Sequence, residues 1–95
     1  MANGRYTAGE PGGKAVGTSS TALLEENKKR GKISFYNPNT YAVWLAAGVD
    51  ALLNKGAWLS PGGSLDIIDP DEARLAWNGI AASSNDIAWL AFMKP

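Results

Sequence analysis

A chain of 95 residues with nine basic and nine acidic side chains, no His and no Cys suits one small domain and rules out two separate cores. Without His it lacks the usual general base near neutral pH and the commonest transition-metal ligand, and without Cys it has neither a disulfide framework nor a thiolate zinc site. The zero net charge is unevenly spread: six bases stand against three acids before Ile33, and three against six from Ile33 onward, a polarity that suggests a leading segment with a partner of its own.

In residues 1–17 five glycines and Pro11 surround only Met1, Tyr6 and Val16 as large apolar groups. Such a stretch cannot offset its own ordering entropy, so an extended or disordered arm is expected there, with a folded domain over 18–95. The arm has no apolar stretch of the signal-peptide kind, and no run in the chain approaches the ~20 apolar residues that span a bilayer. The expectation is synthesis in a cytoplasm and no membrane partner.

Residues 18–32 are ambiguous. Glu25 with Lys29 and Glu26 with Arg30 are helical i,i+4 pairs, yet 20–24 also reads as a short strand followed by a turn at 26–29. Later context favours the strand. Ile33-Ser34-Phe35-Tyr36 stops at Asn37-Pro38-Asn39, and Tyr41, Val43, Leu45 and Ala47 follow at period two, which reads as a hairpin. One helical turn is possible at 49–53.

Trp58-Leu59 runs into Ser60-Pro61-Gly62-Gly63, a strong turn. Residues 64–68 alternate before Asp69-Pro70-Asp71 breaks them. A broken strand over 74–82 and a last one over 86–93 complete the set. The last is apolar on both faces, with Ile87, Trp89 and Ala91 on one and Ala88, Leu90 and Phe92 on the other, so its second face needs a cover or a partner chain. Short strands separated by Pro, Gly, Asn and Asp predict an all-β fold: a small antiparallel β-sandwich or jelly-roll-like barrel of about six to eight strands.

Three motifs invite chemistry. Asp66, Asp69, Asp71 and Glu72 crowd Pro70, but their spacing is not that of a calcium loop, and a turn with Asp side chains on nearby backbone explains them. No metal or cofactor is expected. Lys28, Lys29, Arg30 and Lys32 form a basic cluster on a turn, but the acidic remainder of the domain argues against nucleic acid. Four Trp suit a core or a protein contact, with sugar stacking as the alternative, and by alternation Trp44 is the best candidate for an exposed ring.

A Thr/Ser-rich stretch with a Leu pair (Thr18, Ser19, Ser20, Thr21, Leu23, Leu24) precedes Asn27 and Arg30. A strand ending in Asn37 (Ile33, Phe35) and one ending in Gly48 (Val43, Leu45) come next, then Gly56, Leu59 and the turn Pro61-Gly62-Gly63-Ser64. In this order the chain resembles, over about 16–92, the small β-sandwich proteins of tailed-phage virions, which serve as capsid decoration or cement proteins and head-fibre bases. The apolar stretch Trp89-Leu90-Ala91-Phe92 departs from that pattern and suggests a subunit contact.

The resemblance implies a non-enzymatic protein on the capsid exterior that binds the major capsid protein and associates as a homo-oligomer. The residues expected to meet partners are Arg5, Tyr6, Lys14, Trp44, Leu90 and Phe92, and removal of 1–17 is expected to leave a folded domain that no longer binds. The alternative is a carbohydrate-binding module of a fibre or adhesin.

Overall fold

The computed structural model describes residues 8–83 and 85–94. Eight strands form two four-stranded antiparallel sheets, the β-sandwich that the turn spacing predicts. In chain order they are β1 (Ala8–Val16), β2 (Thr21–Leu24), β3 (Arg30–Tyr36), β4 (Val43–Ala47), β5 (Ala57–Leu59), β6 (Ser64–Ile67), β7 (Trp77–Ala81) and β8 (Asn85–Met93), with one helical turn, α1 (Pro70–Ala73), between β6 and β7.

The strand orders are β1-β8-β3-β6 and β2-β7-β4-β5. Each strand pairs with the one equally far from the middle of the chain: β1 with β8, β2 with β7, β3 with β6, β4 with β5. The chain is thus one long hairpin, bent at the 48–56 loop and rolled until β8 meets β3 and β7 meets β4. This is the jelly-roll arrangement of two packed sheets.

Two expectations are corrected. The segments at 33–36 and 41–47 are not a hairpin, because β3 and β4 lie in different sheets. The link between them is built around Asn37, which is fully buried: its Nδ2 donates to the Tyr41 and Leu59 carbonyls at 2.7 and 3.2 Å, and its Oδ1 accepts from Asn39 N. A loop fastened to the β5 end of the other sheet carries the chain across.

The boundary of the arm is also corrected. Ala8–Val16 is a full strand in register with β8, from Ala8 opposite Met93 to Val16 opposite Asn85. Gly12 has a packing reason. A Cβ at Gly12 would stand 2.5 Å from Trp89 Nε1, so the indole lies across a strand that must have no side chain there. Removal of 1–17 therefore takes away a sheet strand along with whatever precedes it.

The core between the sheets is led by Phe35, Ile33, Leu45, Leu59, Ile87, Val16 and Val43, all fully buried. Each contributes roughly 1.5–3 kcal/mol of transfer free energy. Trp77 closes one end: its ring lies 5.4 Å from that of Phe35, and its Nε1 donates to the Glu72 carbonyl at 3.1 Å. α1 is a single turn that opens on Asp69, whose Oδ1 accepts from Asp71 N at 2.9 Å, with Pro70 at the first helical position. The turn expected at Asp69-Pro70-Asp71 is thus the N-cap of this helical turn. Residues 49–53, where a helical turn was possible, form none.

Candidate partner-binding surfaces

The strand register assigns every side chain of the two outer faces. On the sheet containing β8, Ile87, Trp89 and Ala91 point into the sandwich and Ala88, Leu90 and Phe92 point out. Beside them in register stand Tyr36, Ser34 and Lys32 of β3. Leu90 is 37% exposed and Tyr36 47%. Phe92 is half-buried, with Lys32 Nζ 5.2 Å from its ring centroid. The two apolar faces of this strand are therefore one core face and one outer face.

On the second sheet, Trp44 and Trp58 are Cα partners, and Ile80 lies on the other side of Trp44. Trp44 does face outward, as alternation predicts, but it is half-buried; Trp58 is the open ring, 60% exposed. The signal for Trp58 was its position before inward-facing Leu59. Two residues along β4, Ala46 joins Val49 and Leu52 of the 48–56 loop around a shallow hollow of about 150 Å³, rimmed by Asp50 and Lys55. The loop is pinned against this sheet, with Asn78 Nδ2 donating to the Val49 carbonyl at 2.6 Å and Ala51 N to Ser20 Oγ at 2.9 Å. Exposed Trp58, Val49 and Leu52 and half-buried Trp44 thus form one apolar surface.

The remaining predicted contacts fall elsewhere. Arg5 and Tyr6 lie outside the described residues. Lys14 is on β1, and its Nζ donates to the Ala22 carbonyl at 2.8 Å, linking the edges of the two sheets.

Between those edges lies a cleft of about 310 Å³, lined by Glu10, Glu25, Glu26, Arg30, Trp89 and Met93 among others. Arg30, expected on an exposed basic turn, is only 2% exposed. The register slips between Arg30 and Lys32, so Gly31 is the extra residue of a bulge and Arg30 is turned to the inner side opposite Met93. Its Nε donates to the Ala73 carbonyl at 2.6 Å and its Nη2 to the Glu25 and Leu75 carbonyls at 2.9 and 2.7 Å. Burial lowers its pKa from the usual arginine value, while the Glu10 carboxylate acts in the opposite sense. Asn27, three residues earlier, accepts from Lys29 N through Oδ1 and receives Arg30 N on its carbonyl. The Asn27–Arg30 motif is therefore a structural clasp.

Among the described residues, no group of three or more His, Cys, Asp or Glu side chains is placed to hold a metal ion. No protein-family model matches this chain, and no curated protein matches it in sequence.

Proposed function

We propose that this protein is a non-enzymatic structural component of a tailed-phage virion, docked on the outside of the assembled capsid against the major capsid protein. The observation that carries this reading is the apolar surface of Trp44, Trp58, Val49 and Leu52, with Trp58 60% exposed beside the 48–56 loop on the outer face of the second sheet. Aromatic anchors of this kind are the usual centres of protein contacts. Jelly rolls recur in viral capsid and lectin domains, which supports the reading by analogy of fold.

The test is co-sedimentation of the purified protein with capsids that lack it. Wild-type protein is expected in the pellet and Trp58→Ala with Leu52→Asp in the supernatant, both giving the same circular dichroism. Full occupancy by the double variant would overturn the reading. Removing residues 1–7 from the wild type asks whether Arg5 and Tyr6 add to binding.

A second reading, a carbohydrate-binding module, draws on the same paired Trp residues beside the polar rim of Asp50 and Lys55. It expects glycan-array signals that Trp58→Ala abolishes, and an array with no signal would end it.

A further inference from the structure

We infer that the opposite face of the sandwich, the outer side of the β1-β8-β3-β6 sheet, pairs with the same face of a second copy about a two-fold axis parallel to the strands and midway between β8 and β3. This holds whether or not the Trp58 face meets a capsid.

The basis is a row-by-row match of size and charge. Across the two central strands, Leu90 is paired with Ser34 and Ala88 with Tyr36, so each large side chain has a small neighbour. The proposed axis exchanges the two strands. It lays Leu90 of one copy over Ser34 of the other, Tyr36 over Ala88, and Phe92 over Lys32, repeating between copies the cation-on-ring contact made within one. It also exchanges the flanking strands. Pro11, in register with Leu90, then meets Asp66, in register with Ser34. Ile68, just past β6 and 71% exposed, comes over Gly9, in register with Phe92. Within these three rows no charged side chain meets one of like sign.

A two-fold perpendicular to the strands through the Leu90 row does the reverse: it stacks Leu90 on Leu90 and Asp66 on Asp66. Two facing carboxylates at an interface repel, and two large side chains leave the Ser34 hollow empty. The parallel axis is thus the one the side chains fit.

Size decides how strong the pair is. Four strands ~4.8 Å apart and three rows ~6.8 Å apart make a face of roughly 400 Å² per copy. That is about half of what each partner of a stable complex usually buries. The pair is therefore concentration-dependent in solution and is strengthened where a symmetric surface holds copies together.

The chain has no native Cys, so introduced thiols are unambiguous. Pro11→Cys and Asp66→Cys, prepared separately, are mixed and treated with a short bis-maleimide. Facing sheets lie ~10 Å apart, and like positions on the flanking strands are offset by a further ~14 Å sideways about the parallel axis. The mixture is expected to give a covalent dimer and each variant alone almost none. Dimer from Asp66→Cys alone as readily as from the mixture would overturn the proposed axis. Sedimentation velocity is the second readout: the wild-type coefficient is expected to rise from micromolar to millimolar protein and that of Leu90→Glu to stay constant. A wild-type coefficient that stays at the monomer value throughout would overturn the pairing itself.

Discussion

Arg30 Nε donates to the Ala73 carbonyl at 2.6 Å, and through this bond the start of β3 holds the end of α1. With Nη2 on the Glu25 and Leu75 carbonyls, one guanidinium ties the nearby 25–29 link and the distant 73–75 segment to the start of β3. Arg30→Ala leaves buried carbonyls without donors and is expected to cost about 3 kcal/mol. Arg30→Lys retains the charge but not the fork of donors, so a smaller loss of the same sign is expected. Urea unfolding of both variants measures this, and near-wild-type midpoints would contradict the clasp.

The second polar anchor gives a local test. Asn37→Ala removes the donors to Tyr41 and Leu59 and the acceptor for Asn39 N. A loss of about 2–3 kcal/mol is expected. Amide exchange should quicken first at 38–42 and 60–63, since Asn37 also exchanges backbone bonds with Gly62 and Gly63.

β1 is tested at its glycines. Gly12→Ala puts a methyl into the Trp89 indole and is expected to cost about 1–3 kcal/mol, with a change in Trp fluorescence and faster exchange along Ala8–Val16. Gly17→Ala, where an added Cβ meets nothing within 4 Å, is the matched control and is expected to be close to neutral.

Two tryptophans separate surface from core. Trp77 is 4% exposed against Phe35, and Trp77→Ala is expected to cost about 3–5 kcal/mol. Trp58 is 60% exposed, and Trp58→Ala is expected to change stability by less than about 0.5 kcal/mol. Thermal melts of the pair check the contrast, and a large loss at Trp58 would mean that the ring is part of the fold.

Much of the sandwich was legible because turn chemistry and period two are local. Phe35 against Tyr36, Trp58 against Leu59 and the turn at 60–63 all follow from neighbours in the chain. Pairing was not legible. Asn37-Pro38-Asn39 resembles a hairpin turn, and only the buried amide of Asn37, bonded to Leu59 22 residues away, shows that the chain crosses to the other sheet.

Arg30 was misread for a related reason. Alternation back from Ile33 puts it outside, and one extra residue at Gly31 reverses that. β1 carries no apolar alternation because its partner supplies the bulk: Gly12 is the complement of Trp89. The sign of it was on β8, a strand with too much apolar surface to lie at an edge. Of the surfaces, Leu90 was found from its strand alone, whereas the hollow beside Ala46 needed the 48–56 loop in place.

The position of β8 between β1 and β3 also governs how the chain can be made. Until the ribosome has released 85–93, β1 has no neighbour in its sheet and β3 has only β6. The sheet can be completed only once β8 is available, and it then joins residues as far apart in sequence as Ala8 and Met93. Nascent chains stalled before Asn85 are thus expected to expose Ile33 and Phe35 to chaperones, and a permutant that joins Met93 to Ala8 and opens at 52–55 would make β8 and β1 consecutive and let them pair early.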